Sequence, residues 1–317
     1  SNTCLVIRKI SVSILLFYTL LGCSSDQDVH AIYTEKIDSG IHFTNTLTST
    51  TELNILNYLY FFNGGGIAAG DFNNDNLVDL YFTSNQEADQ LYLNTSDLSF
   101  KNITALSQIN NQTGWTTGVT TVDINNDNLL DIYVSKVSGH LHLNESNQLF
   151  INQGINAEGL PYFKEDAASY NLDIRGLNTQ AAFFDYDLDG DLDVYILRHS
   201  VHPNSNYGKG ALRKKKDALY GDLLLENRNN KYYDVSQKSG IFQGKIGYGL
   251  GISTSDLNND GYPDIYIGND FFENDYVYIN QQDGTFKEIH SSDAALGHSS
   301  HFSMGNTISD INNDGKA

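Results

Sequence analysis

The sequence is short of cysteine, proline and positive charge. Of its 317 residues, two are cysteine and three are proline. Cys4 and Cys23 both lie near the start, so the long segment that follows can hold neither a disulfide nor a thiolate metal site. Lys and Arg number 19 against 39 Asp and Glu, which gives a net charge of −20. Such a chain repels the phosphate backbone, so we expect no nucleic-acid partner.

Long apolar runs are scarce as well. The main run, residues 10–21, follows Arg8 and Lys9. It is too short for a comfortable membrane span and has the proportions of the apolar part of a secretory signal. The sequence therefore predicts a signal peptide over residues 1–22.

The end of that run resembles the lipobox of bacterial lipoproteins. Leu20, Leu21 and Gly22 stand directly before Cys23, where such a signal is cut and the cysteine sulfur is diacylated. We expect a lipidated Cys23, a tether over residues 23–45, and an outer-membrane or cell-surface location in a Gram-negative, Bacteroidetes-like bacterium. The alternative is a plain signal peptide with an incidental cysteine.

The acidic residues are concentrated in a repeated nine-residue pattern, Asp-x-[Asp/Asn]-x-Asp-[Gly/Asn]-x-x-Asp. It occurs in four complete copies and one that is cut short, which together hold 16 of the 39 acidic residues. The copies begin at intervals of 52, 62, 71 and 54 residues, at Asp71, Asp123, Asp185, Asp256 and Asp310. Repetition of this kind predicts one repeat domain over residues 46–317. The fifth copy stops before its last Asp, so we interpret the sequence as an N-terminal fragment.

The segments around each loop predict four short strands per repeat. Small residues precede the loop, and an apolar-Tyr-apolar run follows each complete one. Asn94 and Phe100, like Asn280 and Phe286, then mark a third and a fourth strand six residues apart. Four-stranded units in series are typical of β-propeller blades, so we predict an all-β propeller with four blades and the start of a fifth.

The loops themselves predict calcium binding. Positions 1, 3, 5 and 9 offer side-chain oxygens and position 7 a carbonyl, which suits a cation that takes six to eight oxygen ligands. Glycine or asparagine at position 6 allows the sharp turn. The candidate ligands are Asp71, Asn73, Asp75, Leu77 and Asp79; Asp123, Asn125, Asp127, Leu129 and Asp131; Asp185, Asp187, Asp189, Asp191 and Asp193; Asp256, Asn258, Asp260, Tyr262 and Asp264; and Asp310, Asn312 and Asp314.

Three alternatives to this interpretation can be weighed. An EF-hand needs an acidic residue at position 12, but that position holds Phe82, Val134, Ile196 and Ile267. Magnesium fits less well, because it demands rigid octahedral geometry and keeps its waters. Asx-rich turns that bind no ion are the third alternative.

These loops resemble FG-GAP/VCBS repeats, on the strength of their entry at residues 66–75 and their exit at residues 91–94. Phrases such as residues 183–187 and 303–306 are similar to the cartilage acidic protein/UnbV-type family. The resemblance covers roughly residues 58–317. It implies a propeller of seven or eight blades, calcium in the blade loops, and a C-terminal UnbV-type domain beyond this sequence.

The histidines and a basic stretch form two further groups of candidate site residues. His199 with His202, and His298 with His301, have a spacing that could hold a transition metal, while His140 and His142 share one strand face. A basic stretch, formed by Lys209, Arg213, Lys214, Lys215 and Lys216, lies in the long insertion of the third repeat. We expect structural or solvated roles for both clusters.

The pattern as a whole favours a binding or adhesion module. We expect a lipid-anchored, calcium-binding propeller that presents a surface to a glycan or a protein, with no catalytic residue. A propeller-type polysaccharide lyase or hydrolase with structural calcium is the alternative, and a structural partner of an outer-membrane complex is a third reading.

Overall fold

The computed structural model describes residues 35–109, 111, 113–201, 210–289 and 301–316, apart from the side chain of Lys214. The predicted signal peptide, Cys23 and most of the predicted tether lie outside these residues. From Ser39 onward the chain forms one compact unit. No helix within the described part is long and apolar enough to span a membrane.

The described residues form four antiparallel sheets of four strands each, in simple sequential order. These sheets are the blades of a β-propeller, as predicted. Blade 1 contains β1 (Ile67–Gly70), β2 (Asp79–Phe82), β3 (Gln90–Ser96) and β4 (Ser99–Asn102). Blade 2 contains β5 (Trp115–Val122), β6 (Asp131–Val137), β7 (Gln148–Ile155) and β8 (Pro161–Glu165). Blade 3 contains β9 (Asn178–Phe184), β10 (Asp193–Arg198), β11 (Leu223–Asn227) and β12 (Tyr232–Asp234). Blade 4 contains β13 (Gly249–Ser255), β14 (Asp264–Asn269), β15 (Tyr276–Asn280) and β16 (Phe286–Ile289).

Helix is confined to two short pieces among the described residues. α1 (Ala167–Tyr170) lies in the link from blade 2 to blade 3, and a 3-10 helix (Gly210–Lys214) lies in the insertion of blade 3. The small-residue stretch at residues 305–309, which we expected to be the first strand of a fifth blade, forms no strand in the structure. A β-strand requires hydrogen-bonded pairing with a neighbouring strand, and no described segment pairs in this way with residues 305–309.

The first strands of adjacent blades lie side by side around the propeller axis. Hydroxyl groups on one inner strand donate to carbonyls of the next: Thr117 Oγ1 to Asn178 O at 2.8 Å, and Thr120 Oγ1 to Ala181 O at 2.7 Å. The small residues of these strands permit this close approach. At Gly118, an added Cβ would collide with the side chain of Gln180.

The hydrophobic core is divided among the spaces between blades. Tyr81 and Leu91 of blade 1 pack in one cluster with Ile132 and Phe150 of blade 2. Equivalent clusters join blade 2 to blade 3 and blade 3 to blade 4. The second strand of each blade is covered on both faces, which explains its continuous apolar run; every residue of β6 and β10 is buried.

A separate cluster lies at the end of the axis where the inner strands begin. We call residues 53–63 the axial cap. Its side chains Tyr58, Tyr60 and Phe61 are buried against Trp115 and other residues of blades 2 and 3. Tyr58 and Trp115 meet edge to face, with ring centroids 5.4 Å apart.

Candidate functional site

The predicted acidic loops connect the first and second strands of their blades. Each complete loop begins directly after an inner strand and reaches the second strand at its last Asp. The four complete loops therefore lie at one end of the propeller, opposite the axial cap. The strands on both sides of the loops also confirm that these are not EF-hands.

The Asp at position 1 organises the turn. In loop 3, Asp185 Oδ1 accepts the N–H of Asp189 at 3.1 Å, and Oδ2 accepts that of Gly190 at 3.0 Å. The same two bonds form in the other loops, at Asp71, Asp123, Asp256 and Asp310. One carboxylate thus fixes the backbone of the loop's second half, so that the loop's geometry is built in by hydrogen bonds.

The Asp at position 9 anchors the loop to the blade. Asp193 is buried; its Oδ2 accepts the N–H of Tyr186 at 3.2 Å and its Oδ1 that of Asn227 at 2.8 Å. Asp79, Asp131 and Asp264 make the same contacts, with Asn94, Asn152 and Asn280 as the strand-three donors. Asn94 and Asn280 mark the third strand in the sequence, but the bond from this position to the loop carboxylate was not predicted.

Burial makes the position-9 carboxylates costly to ionise. It raises the pKa of Asp193 to about 8, that of Asp131 to about 7 and that of Asp79 to about 6. The other loop carboxylates raise these pKa values further, whereas the backbone N–H bonds oppose the shift. A bound cation would compensate the same charges.

Loop 3 brings its carboxylates closest together. Oxygens of Asp185, Asp187 and Asp193 lie within 4.8 Å of one another, the one such group of three within the described ranges. The other loops carry Asn at position 3, so they have fewer carboxylates to contribute. Asp187 Oδ1 and Asp191 Oδ1 are buried and accept no hydrogen bond from the described residues.

The unpaired oxygens of Asp187 and Asp191 indicate whether the loop suits a hard cation. An unpaired buried carboxylate oxygen is unfavourable, and a divalent ion with oxygen ligands would satisfy it. Asn73 Oδ1 in loop 1 is likewise buried without a partner in the described part of the chain. At position 3 of loops 2, 4 and 5, the Asn Oδ1 instead accepts the N–H of position 5. The donor set thus fits calcium best in loop 3.

The backbone of the loops is left-handed at two positions. Position 6 has φ of 67° at Asn76 and 95° at Gly190, as its residue types predict. Position 4 is also left-handed, with φ of 61° at Leu188. The other four loops have Asn at position 4, so the left-handed conformation of this position could also have been predicted from residue type.

A second set of buried polar groups lies away from the loops and stabilises the blades. Asp222 is buried; it accepts the Tyr195 hydroxyl at 2.9 Å and the Arg198 N–H at 2.7 Å. Asp89 and Asp275 do the same in blades 1 and 4, and the amide of Asn147 takes this place in blade 2. Burial raises the pKa of Asp222, and likewise of Asp89, to about 7. Sequence reasoning missed this set, although an Asp or Asn precedes each third strand.

Two of the described histidines, His140 and His199, contact Tyr58 of the axial cap. His199 lies under the axial cap, 3.2 Å from the Tyr58 hydroxyl and 3.0 Å from Thr179 Oγ1. Burial lowers its pKa to about 3, so it is neutral. His140, from blade 2, contacts the same Tyr58 ring. His202 and His298 lie outside the described residues, so their pairings stay untested.

The basic stretch is partly engaged within the protein. The Arg213 guanidinium pairs with Glu273 and Glu288 of blade 4 and lies over the Phe242 ring. It therefore fastens the insertion of blade 3 to the neighbouring blade. Lys209 and the side chain of Lys214 lie outside the described residues. Neither the histidines nor this stretch supplies an observation that favours the enzymatic alternative.

Comparison with known proteins defines the class of the repeats. The FG-GAP-like repeat model matches residues 71–134 and 256–317, which contain loops 1, 2, 4 and 5. The chain thus carries FG-GAP-like repeats in two regions, and the intervening blade 3 with its insertion lies between them. No curated protein sequence matches the chain.

Among solved structures, the chain is similar to a lectin from Agrocybe aegerita described as recognising non-reducing terminal N-acetylglucosamine. The alignment covers 69% of this chain and 49% of that chain, at 14% identity and a TM-score of 0.37. The chain thus spans about half the length of the lectin. Similarity this low says nothing about what the present chain binds.

Proposed function

We propose that the chain is a calcium-stabilised FG-GAP-type propeller that acts as a binding module, for glycan or protein, at the cell surface. The observation that carries the calcium proposal is loop 3, where three carboxylates converge and two buried oxygens, on Asp187 and Asp191, have no partner among the described residues. Calcium would neutralise each cluster and fix the turn between the first two strands. The ends of the blades would then form a stiff surface for a partner.

The first test measures thermal unfolding of the whole chain in millimolar calcium, in magnesium and in EDTA. A ligand that binds only the native state adds RT ln(1 + [L]/Kd), about 2.7 kcal/mol per site at 100 times its Kd. We expect a large rise in the midpoint that is specific to calcium. Equal midpoints in all three solutions would leave the loops as Asx turns and remove the calcium proposal.

A double variant makes this test more specific. Asp187→Asn with Asp191→Asn keeps the side-chain sizes but removes two charges from loop 3. In EDTA we expect this variant to be more stable than the wild type, because the repulsion among the loop carboxylates is reduced and no buried charge is left at these two positions. In calcium we expect its gain to be smaller. Asp173→Asn, an exposed Asp outside the loops, is the matched control and should change neither value.

The membrane attachment at Cys23 is tested separately. The whole chain, made in a Gram-negative host supplied with labelled fatty acid, should incorporate the label. Cys23→Ser should abolish incorporation, whereas Cys4→Ser, which changes the only other cysteine, should not. Labelling that survives Cys23→Ser would contradict the anchor.

Binding-partner screens in calcium then address the ligand. Retention of the whole chain on a glycan or protein array in calcium, but not in EDTA, is the expected result. Turnover of a polysaccharide, seen as new chain ends, would instead favour the lyase or hydrolase alternative.

A further inference from the structure

The end of the axis opposite the acidic loops contains an open pocket. Its volume is about 590 Å³, within the roughly 300–1,000 Å³ usual for small-molecule sites. The axial cap forms one wall and the starts of the inner strands form the others. The segment around Asn306, at the start of the fifth repeat, completes the lining.

The lining carries no formal charge. Not one Asp, Glu, Lys or Arg is among its residues, although the chain has a net charge of −20. The one titratable ring, His199, is held neutral by burial, which lowers its pKa to about 3. A charged ligand would find no counter-ion here, so the pocket suits a neutral molecule.

The lining combines aromatic surface with amide and hydroxyl groups. Phe62 projects from the axial cap with 64% of its surface exposed and provides an open aromatic face, whereas Trp115 and Tyr60 also line the pocket but are only 1% and 4% exposed. Gln180 and Thr179 offer polar groups from the inner strand of blade 3. A neutral ligand for this lining must present both an apolar face and several hydroxyl or amide groups.

Two polar groups in the lining residues are unsatisfied. Tyr60 is 4% exposed, and its hydroxyl makes no hydrogen bond with the described residues. Nδ2 of Asn306 is also buried and has no partner in that part of the chain. Leaving such groups unpaired costs about 1–3 kcal/mol each. Both atoms are shielded from solvent, so a ligand hydroxyl would pair with either of them only after a side-chain shift in the pocket wall.

From these observations, we infer that the axial pocket binds the ring of a neutral sugar, such as a terminal hexose or N-acetylhexosamine of a glycan. A pyranose ring has an apolar C–H face for the exposed Phe62 side chain and a rim of hydroxyl groups for the amides. The inference rests on the proposed function as a binding module and assigns that function to a site. The calcium loops lie at the other end of the propeller and take no part in the contact.

The experiment uses the whole chain in calcium and titrates it with the methyl glycosides of glucose, galactose, mannose and N-acetylglucosamine. Trp115 is the only tryptophan of the chain and lines this pocket, but it also lines a second pocket that includes His142 and Glu145, so its fluorescence reports on both and the variants below separate them. Saturation-transfer NMR detects binding anywhere on the protein. We expect at least one neutral glycoside to change the Trp115 signal with a millimolar Kd.

Two variants test the location. Phe62→Ala removes an exposed aromatic face, and Gly305→Leu adds a bulky side chain to the lining at a position where a new Cβ meets nothing within 4 Å. Each should weaken binding at least tenfold, about 1.4 kcal/mol. Leu56→Ala, which changes a residue of the same cap that is 91% exposed and outside the pocket, should have no effect. Unchanged melting curves confirm that the variants are folded.

Three results would overturn the inference. The first is no saturable response to any neutral glycoside; the second is tighter binding of methyl glucuronide than of the neutral sugars. The third is glycan binding, on an array or by NMR, that Gly305→Leu leaves intact; the binding-module function would then stand, with its site elsewhere. Failure of the calcium test alone would remove the role of calcium and leave this pocket unaffected.

Discussion

The buried carboxyl of Asp222 gives a prediction whose magnitude follows from the structure. Its pKa is raised from 3.8 to about 7, chiefly by burial, so the folded state holds a proton that the unfolded state has released between about pH 4 and pH 7. Stability must therefore fall as the pH rises through this window. At 1.36 kcal/mol per pKa unit, the loss grows from about 2 kcal/mol at pH 5 to about 4 kcal/mol at pH 8.

Asp222→Asn removes this titration while keeping the shape of the side chain. Blade 2 shows that an amide fits, because Asn147 Oδ1 accepts the Lys136 N–H at 2.8 Å and Nδ2 donates to the Tyr133 hydroxyl at 2.9 Å. Loss of the hydrogen bond that the Tyr195 hydroxyl donates lowers the stability of the variant by an amount that does not depend on pH. The variant should therefore gain about 2–3 kcal/mol relative to the wild type between pH 5 and pH 8.

Urea unfolding of both proteins in the same calcium buffer, at several pH values, measures this difference. Effects of the loop carboxylates are common to both proteins and cancel. Asp173→Asn, at an exposed position, should run parallel to the wild type. Parallel curves for Asp222→Asn as well would mean that the Asp222 carboxyl does not titrate in this window, and the reasoning from burial would be refuted.

Two further predictions concern the backbone. Leu188→Asn should raise stability by about 0.5–1 kcal/mol, because Asn tolerates the left-handed φ of 61° better than Leu. Asn259→Leu, at the same position of loop 4, should lower stability by a similar amount. The two variants should therefore shift the thermal midpoint in opposite directions, and shifts of the same sign would contradict the prediction. Gly118→Ala should cost about 1–3 kcal/mol in urea unfolding, because its methyl group would meet Gln180 and the Thr179 carbonyl between two inner strands; an unchanged midpoint would mean that the inner strands can separate without cost.

Much of the fold could be predicted because the repeat makes each local signal recur. Small residues before each loop, an Asp at each loop end and an apolar run after it recur in all four blades. The strand pattern alone therefore identified the blades and their order. The left-handed position 6 followed from residue type, because Gly and Asn tolerate that conformation.

The contacts between repeats could not be predicted in the same way. The bond from Asn280 Nδ2 of blade 4 to the Tyr186 carbonyl in loop 3 joins residues 94 apart, and the contacts of His140 and His199 with Tyr58 join two blades to the axial cap. Spacing along the sequence suggested histidine pairs within one strand or turn, but packing determined a different pair. No local pattern specifies which side chains of separate blades will share a buried space.

The repeat, the four-stranded blades and the residues that surround each acidic loop follow from the sequence, because these depend on neighbours within a few residues. Only the folded chain shows that Asp185, Asp187 and Asp193 converge, and that Asp187 Oδ1 and Asp191 Oδ1 accept no hydrogen bond from the described residues. It also shows that the axial cap and five repeats enclose an uncharged pocket at the opposite end. Burial and convergence depend on how distant segments pack, and that is a property of the folded chain.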